Sequence, residues 1–229
     1  MKIVSISDTH EFQKDLKIPD ADILIHCGDF SLAASIDALI DFKNWLTTLP
    51  HKYKIVIAGN HDRYRNEILR KAITDAYYLE NDSIEIEGLK YWGSPFTPSF
   101  ANMRTGLSFY RKPGKQMAKI WKQIPDDADI LITHGPPQGI LDRVMKGPDI
   151  GAHVGDGMLA AILPKLKNTK LHMFGHIHEG YGILQVRGGK TFINCSVVNE
   201  DYNLINKPII TEFENAKEFK RGNFKVYYE

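Results

Sequence analysis

Five times in this chain a short apolar run stops abruptly in side chains of the kind that bind metal ions. Residues 2–7 (KIVSIS) end in Asp8-Thr9-His10, and residues 23–27 (ILIHC) end in Gly28-Asp29. Residues 53–58 end in Gly59-Asn60-His61-Asp62, residues 130–133 in His134-Gly135-Pro136-Pro137, and residues 170–174 in Gly175-His176-Ile177-His178. Runs of this length, rich in β-branched residues, read as buried strands. A glycine permits the sharp turn that follows, and Gly-Pro-Pro fixes the turn after His134. Between the second and third runs an apolar stripe (Ile36, Leu39, Ile40, Phe42, Trp45, Leu46) predicts a helix over 34–49, ended at Pro50. Strand, helix, strand implies a right-handed parallel crossover. Ligands at the carboxyl ends of such strands fall in the crevice where open α/β sheets bind their substrates.

The rest of the chain is less constrained. A helix is expected over 63–72. Tyr77-Tyr78-Leu79, residues 83–87 and residues 89–92 read together as an antiparallel hairpin. Residues 93–104, with Pro95, Phe96, Pro98 and Phe100, form either a loop packed by its own side chains or a lid or substrate wall. Short helices are expected over 115–123 and 157–166. The Gly- and Pro-rich stretch 136–157 carries Asp142, Arg143 and His153, and an irregular segment of this length is usually functional or mobile. Residues 182–186, 191–195 and 208–213 read as closing antiparallel strands, with a last short strand over 225–229.

Composition sets the outer bounds. A chain of 229 residues buries one sizeable core, so a single domain over 1–229 is expected. A formal net charge of +1 offers no global field for nucleic acid or an anionic membrane. Lys217, Lys220, Arg221 and Lys225 alternate with Glu212, Glu214, Glu218 and Glu229 and read as a solvated surface. Cys27 and Cys195 lie inside apolar runs and read as small core residues. The opening MKIVSISDTH lacks the apolar core of a signal peptide and no stretch approaches a membrane span, so a cytoplasmic protein is expected. Residues 195–210 either close the core or pack at an interface between copies, which leaves a homo-oligomer open.

In extended backbone, residues two apart point to one side. Asp8 with His10, and His176 with His178, can therefore each approach one ion. His26 lies inside its run and reads as a satisfied core histidine rather than a ligand. Taken together the boxes hold enough nitrogen and oxygen donors for two divalent ions, and no thiolate, which argues against a structural cysteine-type zinc site. Two ions about 3.5–4 Å apart clamp the attacking and leaving oxygens of an in-line displacement at phosphorus. A carboxylate is the natural bridge between two cations, and Asp29 is the candidate.

The boxes Asp8-Thr9-His10, Gly28-Asp29, Gly59-Asn60-His61-Asp62, His134-Gly135 and Gly175-His176-Ile177-His178, in this order over essentially the whole chain, resemble the calcineurin-like metallophosphoesterase superfamily. The segments YWGSPFTPSF, THGPPQGILD, FGHIHEGYG, INCS and NKPII resemble its small metallophosphoesterase-domain-containing branch, in which some relatives hydrolyse cyclic nucleotides and other phosphodiesters. The resemblance implies an α/β fold, a four-layer αββα sandwich of two mixed β-sheets flanked by helices. It implies one ion held by Asp8, His10, Asp29 and His178 and another by Asp29, Asn60, His134 and His176. Manganese is the first expectation for both, with iron, zinc or nickel also compatible with the donors. It places His61 against the phosphate, stabilising the transition state or protonating the leaving oxygen, with Asp62 orienting it. The expected activity is hydrolysis of phosphodiester bonds by metal-activated hydroxide, on small substrates such as cyclic nucleotides. A phosphomonoesterase or phosphoprotein phosphatase, and a metal-binding scaffold with little turnover, are the alternatives. The neutral net charge disfavours a nucleic-acid substrate. Asp156 stands where a cysteine or another small residue is expected in relatives. It reads as the cap of the following helix or as a substrate contact. His153 is a second candidate substrate contact, and Glu179 a candidate support for the neighbouring histidine.

Overall fold

The computed structural model describes residues 1–99, 109–147, 149–186 and 189–228. Its elements in chain order begin with β1 (Lys2–Ile6), β2 (Ile23–His26), α1 (Ile36–Thr48), β3 (Tyr53–Val56), α2 (Asn66–Ala72) and β4 (Tyr77–Tyr78). There follow β5 (Asp82–Ile86), β6 (Leu89–Ser94), β7 (Thr97–Pro98), β8 (Tyr110–Arg111), α3 (Lys115–Trp121), β9 (Ile130–Thr133) and α4 (Gly157–Ile162). The chain closes with β10 (Leu171–Phe174), β11 (Gly182–Val186), β12 (Lys190–Asn194), β13 (Ile209–Glu212), α5 (Ala216–Lys220) and β14 (Lys225–Tyr228).

The strands build two six-stranded mixed sheets, ordered β14-β13-β1-β2-β3-β4 and β11-β12-β10-β9-β6-β5, beside a small β7-β8 pair. The apolar runs explain the layering. Ile23 and Ile25 of β2, Ile55 of β3, Ile130 and Ile132 of β9, and Leu171 and Met173 of β10 meet in one buried cluster between the sheets. The alternate residues Leu24, Val56, Leu131 and Phe174 belong to a second cluster that includes Leu39 and Phe42 of α1, Met117 of α3 and Leu159 of α4. Strands covered on both faces carry apolar side chains at every position, which is why these runs do not alternate with polar residues. The result is the expected α/β sandwich of two sheets flanked by helices.

The β1-α1 region keeps the parallel order: β1 pairs with β2, and β2 with β3, all parallel. Helix α1 is capped by Ser35, whose Oγ accepts from the Ala38 amide at 3.0 Å. Its stripe is narrower than expected, since Ile36 and Ile40 are exposed and Ala38, Leu39, Phe42, Trp45 and Leu46 are buried. The expected three-segment hairpin is corrected. Strand β4 pairs parallel to β3 in the first sheet, and only β5 and β6 form the hairpin, in the second. The closing strands are also not uniformly antiparallel. Strand β12 runs antiparallel to β11 but parallel to β10, and β13 returns to the first sheet beside β1. Three of the expectations, for 93–104, for 136–157 and for the end of the last strand, include Phe100–Arg104, Pro148 and Glu229, which lie outside the described residues.

At their carboxyl ends the two sheets converge. The Ser7 amide donates to the Cys195 carbonyl at 2.8 Å, and the Val197 amide to the Ser7 carbonyl at 2.9 Å. Cys27 and Cys195 are both buried and free, with their sulfurs 3.6 Å apart across this seam. No helix among the described residues is long and apolar enough to cross a membrane.

Candidate metal centre

All seven predicted ligands come from the turns that leave β1, β2, β3, β9 and β10, where the sheets meet. Asp8, His10, Asp29 and His176 have left-handed backbone, with φ of 56°, 41°, 54° and 70°. L-residues adopt this region at a cost, and such strain concentrates at functional sites. Glycines allow the close approach. A Cβ on Gly175 would stand 2.1 Å from Asp8 Oδ2, and one on Gly59 would stand 2.2 Å from Asp29 Oδ1.

The side chains gather in two groups. Asp8, His10 and His178 have ligand atoms within 4.8 Å of one another, as do Asp29, His134 and His176. Asn60 joins the second group, its Oδ1 2.9 Å from His134 Nε2. Asp29 Oδ2 lies 3.2 Å from the same nitrogen. The structure thus brings Asp8, His10 and His178 together and gathers Asp29, Asn60, His134 and His176 beside them, with Asp29 grouped with the second set.

Hydrogen bonds to carbonyls fix which nitrogen of three of the rings faces the centre. His10 Nδ1 lies 3.3 Å from the Ser31 carbonyl, His134 Nδ1 2.9 Å from the Cys27 carbonyl, and His178 Nδ1 3.0 Å from the Asn199 carbonyl. A carbonyl only accepts, so Nδ1 carries the hydrogen and donates, and the neutral ring turns an Nε2 lone pair inward. His10 Nε2 and His178 Nε2 then stand 3.4 Å apart, and His178 Nε2 stands 3.6 Å from Asp8 Oδ1. With both rings neutral these are acceptors facing acceptors, which repel unless a proton or a metal cation lies among them. The donor set and its tautomers fit divalent ions with mixed nitrogen and oxygen ligands.

Charge in the bare site follows the same geometry. Burial opposes ionisation of Asp8, yet His178, His134 and His10 hold its carboxyl well below the usual carboxylate range. Burial likewise opposes protonated His134, but the Asp29 carboxylate outweighs it and pushes the imidazole up to about 9. His176 lies deep enough that burial pushes it down to about 3.

Two residues stand differently from expectation. The Asp62 carboxylate accepts from the amides of Gly59, Ser31 and Phe30 at 2.8, 2.9 and 3.3 Å and from Ser31 Oγ at 2.9 Å. It does not orient the His61 ring. That ring is held by the Leu32 carbonyl, 2.8 Å from Nδ1, while the His61 amide donates to Asp29 Oδ1 at 2.7 Å. Asp62 instead ties the loop after β2 to the turn after β3, and so places the Leu32 carbonyl. His153 lies away from the metal ligands. Its Nδ1 donates to the buried Asp142 carboxylate at 2.5 Å, and its ring lines a separate cavity of about 340 Å³ with Pro98, Ser99 and Gln138. Asp156 caps α4, accepting from the Met158 amide and from Trp121 Nε1, both at 2.7 Å.

Sequence reasoning missed several residues at the centre. Ser196 Oγ donates to Asp8 Oδ2 at 2.6 Å. Tyr110, Lys146, Glu200 and Tyr202, together with Glu179, which the sequence marks, line a cleft of about 290 Å³ above Asp29, Asn60, His61, His176 and His178. Glu179 accepts from the Met145 amide rather than from a ligand histidine. The only signal for Tyr202 was the polar, asparagine-rich turn Asn199–Asn203 after an apolar strand.

Two mixed sheets flanked by helices thus converge on two candidate metal-binding groups of histidine and carboxylate side chains. The model of the calcineurin-like phosphoesterase family matches residues 1–180, and the chain belongs to that family. It is 34% identical to human metallophosphoesterase domain-containing protein 1 over 94% of this chain and 72% of that one. It is 35% identical to a UPF0046 protein of Caenorhabditis elegans, over 92% of this chain and 74% of the other. Among solved structures, one superposes with a TM-score of 0.69 at 17% identity, over 99% of this chain and 98% of its own. The sulfate thiohydrolase SoxB of Thermus thermophilus superposes at a TM-score of 0.52 and 12% identity, over 90% of this chain and 38% of SoxB. These last two likenesses concern the fold.

Proposed function

We propose that the chain is a dinuclear phosphodiesterase for small substrates, with cyclic nucleotides as the leading class. The observation that carries this reading is the pair of ligand groups with inward-facing acceptor atoms. Asp8, His10 and His178 would hold one divalent ion. Asn60, His134 and His176 would hold the other, and Asp29 would be shared between them. Two such ions, when bound, make a water nucleophilic near neutral pH and neutralise charge on the phosphoryl oxygens.

The protein's own residues supply the rest. Left-handed turns and glycine-limited approaches preset the ligands, so little reorganisation accompanies binding. The Leu32 carbonyl holds the His61 ring through Nδ1, and in the protonated ring Nε2–H would contact the phosphate and pass its proton to the leaving oxygen. Lys146 is the one cation among the described residues lining the cleft, and Asp201 and Glu200 engage it. That sparse positive charge suits a monoanionic diester better than a dianionic monoester. Tyr110 and Tyr202 line the cleft and would offer ring surface to an organic group attached to the phosphoryl group.

The test is side-by-side hydrolysis of 2′,3′- and 3′,5′-cyclic nucleotides, bis-p-nitrophenyl phosphate and p-nitrophenyl phosphate by manganese-loaded protein. Preference for diesters supports the reading, and the faster cyclic isomer indicates the natural class. Preference for the monoester replaces it with a phosphatase.

A further inference from the structure

The turn Asn199–Asn203 does two things at once. The Asn199 carbonyl holds the metal-ligand candidate His178 through Nδ1. The same carbonyl accepts from the Tyr202 amide at 2.9 Å, and Asn199 Oδ1 accepts from the amides of Asp201 and Asn203 at 3.1 and 2.8 Å. Lys146 Nζ bonds both carboxylate oxygens of Asp201 at 2.7 Å and so anchors the turn from across the cleft. This knot holds Tyr202 at φ 61°, a conformation that glycine or asparagine adopts readily and a bulky aromatic does not. The turn alone has no need of an aromatic side chain. What tyrosine adds is a ring directly beside the ligands, with its centroid 4.8 Å from His10, 5.2 Å from His178 and 6.5 Å from His61. Tyr202 remains 39% exposed and lines the cleft together with the largely buried Tyr110. A substrate whose phosphoryl group reaches the ligand atoms must lay its adjoining group against this surface.

We infer that Tyr202 is a specificity-determining residue: its exposed ring surface takes an aromatic or heteroaromatic group attached to the phosphoryl group of the substrate. The inference rests on the metal-centre reading above and extends it to a named residue. Offset or edge-to-face contact with Tyr202 favours a flat aromatic group over an alkyl group of the same charge. A base or aryl group gains from it, and a glycerol-like group does not.

The experiment is calorimetric binding of the monomethyl esters of phenylphosphonate and methylphosphonate to manganese-loaded protein, because the two probes share one monoanionic, diester-like head group and differ only in the ring. Wild type is expected to bind the phenyl probe about three- to tenfold more tightly. Tyr202→Phe keeps that ratio, and Tyr202→Ala brings it toward one. Tyr202→Asn, which tolerates the left-handed turn, guards against misfolding of the alanine variant and gives the same loss. A wild-type ratio near one overturns the role of Tyr202 while leaving the metal centre standing. So does an unchanged ratio in the ring-less variants. Binding of neither probe overturns both.

Discussion

His61 carries the sharpest prediction of any single residue. Its ring is oriented by a carbonyl and its amide by Asp29, yet it lies outside both ligand groups. His61→Ala should therefore lower kcat for an aryl phosphodiester about 100-fold or more while leaving the bound manganese at the wild-type level. Steady-state kinetics with elemental analysis checks this, and loss of metal in parallel with rate would make His61 a ligand instead. The candidate ligands were legible in the sequence because each box follows the end of an apolar run, but the pairing by extended backbone fails: Asp8, His10 and His176 are left-handed, and His176 and His178 fall in different groups. The partner of Asp62 was not legible. The resemblance implied that Asp62 orients the His61 ring, whereas the fold turns Asp62 toward Ser31 and Gly59. Ser196 and Tyr202 were hidden for a related reason: one serine after a strand and one tyrosine in a polar turn carry no spacing that points across 188 residues to Asp8.

Turns and helix ends set where the ligands point, and two changes there test it. Gly175 leads from β10 into His176, and any side chain on it meets Asp8 Oδ2 and Ser7 Oγ. Gly175→Ala should cost about 1–3 kcal/mol in denaturant unfolding of metal-free protein, and should also weaken manganese binding. Asp156 caps α4 and holds Trp121 of α3. Asp156→Ala should destabilise the protein by about 0.5–2 kcal/mol with KM for diesters unchanged, whereas a raised KM would make it a substrate contact. Buried strands were readable because residues such as Ile23–His26 and Ile130–Thr133 are covered on both faces. The assignment of β4 was not readable, since Tyr77-Tyr78 carries the same apolar signal in either sheet. Only the long-range pairing with β3 decides it.

Stability of the whole molecule should carry the mark of histidines buried without charge. Burial alone pushes His172 down to about 3, and it lies in the outer core with Nε2 2.8 Å from Thr133 Oγ1. In the unfolded chain it titrates near 6.5. A depressed histidine binds a proton more readily when unfolded, so its contribution is complete above about 6.5 and is lost as pH falls toward about 3. The melting temperature of metal-free protein should fall between pH 6.5 and 4, and more gently in His172→Gln. An equal slope would mean that other groups set the acid limit. Joint action of two ions where the sheets converge is checked by stripping the protein of metal and following bis-p-nitrophenyl phosphate hydrolysis as manganese is returned. The rate should rise to a plateau at two equivalents per chain. A plateau at one equivalent, or two bound equivalents with no hydrolysis, would contradict it.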